Sequence, residues 1–204
     1  MSQLSTYRTI LSEELGTSET VYLTQTKRDR AVNQACRWIG NNYQVPELLL
    51  QQNVTFTTGL ASIPSRYHKK GHIKAYDSSD TIFEFLTPNN FDTAGRGITI
   101  DYNITAAARR IHVVPTTTTT LTFRYYQKPL EMTASTDDSG LPTELDYGVC
   151  KYASYLMKQE KGEFNEAQVL LASAREEAKL WANTFADDAG EIYSTYEGYD
   201  YLQS

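Results

Sequence analysis

The spacing of apolar residues changes twice along the chain and divides it into three stretches. Near both ends apolar residues recur every three or four positions, which predicts helices. Between about residues 53 and 126 they alternate with polar residues, which predicts strands. Helices and strands are thus segregated along the chain. This order predicts an α+β fold with an N-terminal helix pair, a central antiparallel sheet or small sandwich, and a C-terminal helical hairpin.

The N-terminal stretch predicts two helices, over residues 4–15 and 27–42. Gly16 is expected to end the first, and Thr26 to cap the second. The second should end before Pro46. The apolar faces are formed by Leu4, Tyr7, Leu11 and Leu15 in the first helix and by Ala31, Ala35 and Trp38 in the second.

The central stretch predicts about six short strands within 53–126. Val54 and Phe56 alternate with Thr in the first, and Leu121, Phe123 and Tyr125 alternate with polar residues in the last. Glycine and proline separate the runs, as turns require. We therefore expect an antiparallel sheet joined by loops, with 59–72 and 87–97 as exposed loops.

The last helical stretch predicts a hairpin of helices over 143–161 and 164–186. Thr143 and Asp146 have the spacing of a capping box, and Gly162 separates the two helices. The second helix has apolar residues in alternating steps of four and three, which favours packing against a neighbouring helix. Together with the preceding elements, this predicts a single domain over 1–186.

Residues 187–204 differ from everything before them. They contain five Asp or Glu and no Lys or Arg, so they hold five of the six net negative charges. Such a segment has too little apolar surface to fold by itself, and its aromatic residues suit a groove on a partner. A frayed terminus is the alternative. The residues expected to contact the partner are Ile192, Tyr193, Tyr196, Tyr199, Tyr201 and Leu202.

A basic run lies in the central stretch, at Arg66, Lys69, Lys70 and Lys74. It is either a solvated loop or a contact with an acidic partner surface or with DNA. Apart from Tyr67, aromatic residues that could stack on bases are missing from the run, so sequence-specific recognition of nucleic acid is not supported.

Candidate chemistry is sparse. His68 and His72 have an i, i+4 spacing, but Gly71 between them and the adjacent lysines oppose a metal site on a helix. Cys36 and Cys150 lie among apolar residues and are expected to be buried free thiols. No apolar run approaches the ~18 residues of a membrane span. We expect no enzyme, no metal, no cofactor and no membrane contact.

One longer run resembles a known family. Tyr125-Tyr126 followed by Pro129-Leu130 ends a strand, and Asp137-Asp138 and Leu141-Pro142 then lead into the helix pair. This order resembles the head-to-tail adaptor, or connector, proteins of tailed bacteriophages, and a looser resemblance covers about 1–186.

The resemblance implies a structural protein of the virion, made in the host cytoplasm and located between head and tail. It implies a homo-oligomeric ring of about twelve copies, with the portal protein bound by the C-terminal segment. Such a ring requires heterologous interfaces that close, and the loops 59–72 and 87–97 are candidates for them. A tail protein (nozzle, tube or completion protein) would bind on the other side, and DNA would pass through without specific recognition. The alternatives are a nucleic-acid-binding module that uses the 66–74 run and another phage neck or tail-completion protein.

Overall fold

A computed structural model of the chain describes residues 1–16, 24–91, 94–101, 110–116 and 118–189. These residues form five helices and seven strands, and the predicted α+β class is confirmed. The chain divides into two compact units. The helical unit contains residues 1–48 and the chain from 129 onward, and the β unit contains 49–128. The single domain over 1–186 stays a prediction.

Helix α1 spans Leu4–Leu15 with the predicted bounds, and Gly16 follows it with a positive φ of 73°. Its predicted apolar face is buried. The loop before α4 contacts its first turn, because the Leu4 and Ser5 N–H groups donate to the Asp137 and Ser135 carbonyls. Donors that a helix start leaves unsatisfied are thereby paired.

Helix α2 spans Gln25–Asn42, so the predicted start at residue 27 was two residues late. The predicted cap at Thr26 was wrong. Thr24 has the extended backbone of a cap, and its hydroxyl accepts the Lys27 N–H at 3.4 Å. Thr26 instead lies within the first turn.

Helices α4 (Asp146–Lys161) and α5 (Phe164–Ala189) form the predicted pair. The capping box was wrong, because Thr143–Leu145 form a separate 3₁₀ turn and α4 has no side-chain cap. The Asp146 carboxylate accepts a hydrogen bond from the Ser2 hydroxyl and does not cap the helix. Gly162 ends α4 in the left-handed conformation, with φ of 84°.

The helical unit is packed around α4, which contacts α1, α2 and α5. The predicted stripe of α5 is buried at Ala167, Leu171, Ala174, Ala178 and Trp181. The Asn33 side chain in α2 donates to the Met132 carbonyl and accepts the Met132 N–H, both at 2.9 Å. This pair satisfies the backbone of a buried loop residue.

The β unit contains two antiparallel sheets. One has the strand order β1-β7-β3-β4, and the other has the order β2-β6-β5. The first strand begins at residue 49, four residues before the predicted stretch. The strands are β1 (Leu49–Phe56), β2 (Leu60–Ser62), β3 (Tyr67–Tyr76), β4 (Ile82–Phe83), β5 (Gly97–Asp101), β6 (Arg110–Val114) and β7 (Thr119–Gln127), with the short helix α3 (Pro88–Phe91) between β4 and β5.

Both sheets contribute to one apolar core, as in a small sandwich. Phe123 lies at its centre, with its ring 5.9 Å from that of Phe56 and 6.0 Å from that of Phe85. Successive residues of β7 alternate between this core and the outer face of the four-stranded sheet. The alternation that predicted the strand therefore also identifies its outward residues, such as Arg124.

Candidate partner-binding surfaces

The predicted partner-binding residues of the C-terminal segment lie outside the described residues, so their role stays a prediction. They are Ile192, Tyr193, Tyr196, Tyr199, Tyr201 and Leu202.

The basic run lies mostly on a strand. Residues 60–62 form β2 and residues 67–76 form β3, so the prediction of a loop over 59–72 was wrong at both places. The predicted loop 87–97 contains the short helix α3. His68 and His72 are therefore not on a helix. Lys69 and Lys70 lie on this strand, but the structure does not describe their side chains. Lys74 is exposed.

Arg66 precedes this strand and is used within the β unit. Its Nε and one terminal nitrogen donate to the Lys128 carbonyl at 2.9 and 2.8 Å. The Lys128 N–H donates back to the Arg66 carbonyl. Arg66 has a positive φ of 61°, and these bonds hold it at the end of β7. Arg66 therefore stabilises the β unit, and its guanidinium is less available to a partner.

Lys74 has a cationic neighbour that the sequence does not place beside it. In the pairing of β3 with β7, Lys74 lies opposite Arg124, and both side chains are exposed. The Lys74 ammonium lies 5.8 Å from the centre of the Tyr76 ring. Within the described parts of the chain, neither cation forms an ion pair. Like charges placed opposite each other on a sheet are unfavourable without an anion nearby.

The exposed Glu84 follows β4 two residues after Ile82, so it borders the face around these cations. Strands β1, β7 and β3 contain no Asp or Glu at all. Gln51 lies beside Arg124 on the other side, and Tyr76 pairs with Ile82, which is 49% exposed. We call this surface, formed by Leu49, Gln51, Lys74, Tyr76, Ile82, Arg124 and Tyr126, the basic sheet face.

The two units have opposite net charge. The β unit contains nine Lys or Arg and five Asp or Glu, a net charge of +4. Since the whole chain carries −6, the rest carries −10. The near neutrality of residues 1–186 is thus an average over two unlike units. The sequence contains this signal, but it appears only once the unit boundaries are known.

Helix α5 has an exposed stripe on the side away from its buried residues. Val169 and Leu180 are 70% and 60% exposed. Ala172 and Glu176 are exposed between them, at the spacing of one helix face. Glu176 forms no ion pair with any residue that the structure describes. These four residues are the α5 stripe.

A polar cluster lies inside the helical unit, where α4 begins. Asp146 is buried, and desolvation raises the pKa of its carboxyl, while hydrogen bonds from Ser2 and Tyr7 act in the opposite direction. The Tyr7 hydroxyl also lies 3.3 Å from the Ser139 hydroxyl. These contacts fix the first residues of the chain against α4.

Cys36 and Cys150 are free and buried, as predicted. Burial raises the pKa of Cys36 to about 12 and raises that of Cys150 as well. Thiols that stay protonated are poor nucleophiles and poor metal ligands. Among the described residues, His, Cys, Asp and Glu nowhere gather in groups of three that could hold a metal ion.

Hydropathy along the described helices shows none with the length and apolar character needed to cross a membrane. The described surface has a basic sheet face, an exposed helix stripe and a strong separation of charge between the two units. These are features of a structural protein that acts through contacts with other macromolecules.

The sequence matches the family model described as SU10 adaptor protein over residues 6–202. This match covers nearly the whole chain, and the chain belongs to this family of phage head-to-tail adaptors. It is therefore a component of the virion. The match includes the acidic segment almost to its end. Comparison with curated proteins gives no match.

Proposed function

We propose that the chain forms a ring of about twelve copies that joins the portal to the tail of a tailed phage. The family match over residues 6–202 is the observation that carries this proposal. A nozzle, tube or completion protein binds below the ring. DNA passes through the ring without base-specific contacts, and the protein is made in the host cytoplasm.

The C-terminal segment is the proposed portal contact. Its five carboxylates attract a basic surface, and its tyrosines have apolar rings with hydroxyls that tolerate a partly wet interface. Ordering such a segment costs conformational entropy, and repetition around a ring compensates by avidity. Many weak copies then act as one strong contact.

Deletion of residues 190–204 tests this contact. Every side chain that the structure shows to be buried lies at or before Trp181, and the deletion begins only at residue 190, so it should leave the melting temperature nearly unchanged. Binding to purified cognate portal, measured by co-sedimentation, should be lost. Retained binding by a folded truncated chain would contradict the proposal.

Two full-length variants separate the contribution of the tyrosine side chains, which anchor the segment, from that of the carboxylates, which steer it toward the portal. In one, Tyr193, Tyr196, Tyr199 and Tyr201 are replaced by Ser with all charges kept. In the other, Glu191, Glu197 and Asp200 are replaced by Gln or Asn with all tyrosines kept. The first should weaken portal binding at every salt concentration because the anchors are lost. The second should slow association mainly at low salt.

A nucleic-acid-binding module that uses the 66–74 run is the alternative from another class. Phosphate contacts predict a steep loss of DNA affinity with rising salt, whereas an adaptor should bind DNA little at any salt. Fluorescence anisotropy with duplex DNA at several salt concentrations separates the two. Another neck or tail-completion protein would differ from an adaptor by failing to bind portal directly.

A further inference from the structure

The basic sheet face has a regular layout along its strands. Arg124 and Lys74 form a central row, with Gln51 beside Arg124. Tyr76 and Ile82 lie in the row on one side, together with the polar Thr122 and Asn53, and Tyr126 and Leu49 lie in the row on the other. Rows on the same face of a strand are about 6.7 Å apart. Along the strand direction, the cationic row therefore lies between the large side chains of Tyr76 and Ile82 and those of Tyr126 and Leu49.

The α5 stripe has the complementary layout. Leu180 is four residues after Glu176, and Ala172 is four residues before it, which places each about 6 Å away along the helix. Val169 extends the apolar part beyond Ala172. The stripe therefore reads apolar, anionic, apolar, with a spacing close to that of the sheet rows.

We propose that the basic sheet face of one copy binds the α5 stripe of a neighbouring copy. Glu176 of one copy then lies over Lys74 and Arg124 of the next, and supplies the ion-pair partner that neither cation has among the described residues. Leu180 contacts the Tyr76 and Ile82 row, and Ala172 and Val169 contact the Tyr126 and Leu49 row. The opposite net charges of the two units favour the same pairing.

Such a contact is heterologous, since it joins two different surfaces of the same chain. Repeated from copy to copy, it generates a closed ring when the rotation closes. This inference rests on the proposed function and identifies the surfaces that hold the ring together. The portal contact by the C-terminal segment is separate from it.

Charge reversal gives a direct test. Variant A carries Lys74→Glu and Arg124→Glu, so its sheet face and stripe are both anionic. Variant B carries Glu176→Lys, so both are cationic. Each alone should associate about tenfold more weakly than the wild type or worse, because close charge pairs at interfaces contribute strongly. Mixed in equal amounts, A and B should associate again, because each sheet face meets an opposite charge. Sedimentation velocity of the full chain at low salt measures this.

Control variants carry single charge reversals of each sign elsewhere on the surface. Lys128→Glu lies at the exposed end of the β unit, and Glu13→Lys lies on the exposed side of α1. Both should associate like the wild type. Circular dichroism and thermal melting establish that every variant is folded. If variant A unfolds, Lys74→Gln with Arg124→Gln replaces it, and weaker association is again expected.

Several results would overturn the proposal. They are a wild-type chain that stays monomeric at low salt, a variant A or B that associates alone as the wild type does, and a mixture that fails to recover association. A variant A that loses binding to duplex DNA with self-association unchanged would assign the face to phosphates instead. The proposed function fails separately, if the wild-type chain does not bind portal.

Discussion

The helical unit and the β unit treat their charges differently. In the helical unit, several cations are paired within the unit, as in Arg8–Asp29, Lys27–Glu160 and Lys151–Glu177. In the β unit, Lys74 and Arg124 are neighbours without an ion pair among the described residues. Charges of the first kind stabilise the fold. Charges of the second kind are available to a partner.

The largest loss of stability is expected from a substitution in the core of the β unit. Phe123→Ala removes a fully buried ring that packs on Phe56 and Phe85, and should destabilise the β unit by about 3–5 kcal/mol. Hydrogen exchange should increase in β1, β3 and β7. Ile82→Ala, at a half-exposed position, is the control and should change stability little. Equal loss of protection in α4 and α5 would contradict a division into two compact units.

The second largest loss of stability is expected from a substitution in the helical unit. Asn33→Ala leaves the Met132 N–H and carbonyl without their partner, which should cost about 2–4 kcal/mol for two buried backbone groups. Asn42→Ala serves as control, since that side chain bonds a carbonyl at the exposed end of α2. Urea unfolding measures both. Equal small losses would show that the loop finds other partners.

The buried carboxyl of Asp146 predicts a dependence on pH. Its folded-state pKa is raised above the ordinary value by burial, so its contribution to stability is full below the unfolded pKa and is lost as pH rises through the folded pKa. Ser2→Ala removes a hydrogen bond to the charged form and should cost about 1–2 kcal/mol at neutral pH.

Toward acidic pH this loss should shrink, because a protonated carboxyl accepts a weaker hydrogen bond. Urea midpoints of the wild type and the Ser2→Ala variant at several pH values measure the change. Ser5→Ala, at an exposed position in the first turn of α1, is the control. A loss that is constant from neutral to acidic pH would contradict the role given to Asp146.

The smallest effect tests the comparison of charges itself. Arg8 donates two hydrogen bonds to Asp29 at 2.8 and 2.7 Å, and Arg8→Gln should cost about 1 kcal/mol or less. Arg124→Gln removes one of two facing cations and should change stability by a few tenths of a kcal/mol, toward greater stability. Thermal melting at low salt measures both. Equal destabilisation by the two changes would remove the distinction between paired and unpaired cations.

The spacing of apolar residues predicted helices well where a single helical spacing continues through the whole helix. The bounds of α1 and the buried stripe of α5 follow from apolar spacing, and Gly162 ends α4 because only a residue without a side chain takes that backbone readily. The two caps were wrong for a physical reason. A threonine or aspartate can cap, but tertiary contacts decide whether it does, and Asp146 bonds Ser2 instead.

Contacts between distant residues were beyond the sequence patterns. Lys74 and Arg124 are 50 positions apart and become neighbours only through the register of β3 with β7. That register contains irregularities within β3, which a simple alternation does not predict. Asn33 and Met132 meet in the same way, across nearly a hundred residues. The candidate sheet face therefore required the structure, whereas the acidic segment was evident from composition alone.

Electron cryomicroscopy of the full chain mixed with purified cognate portal tests the central proposal most directly. We expect a second ring stacked on the portal, in which each basic sheet face contacts the α5 stripe of the next copy. A portal that carries no added ring would contradict the adaptor assembly.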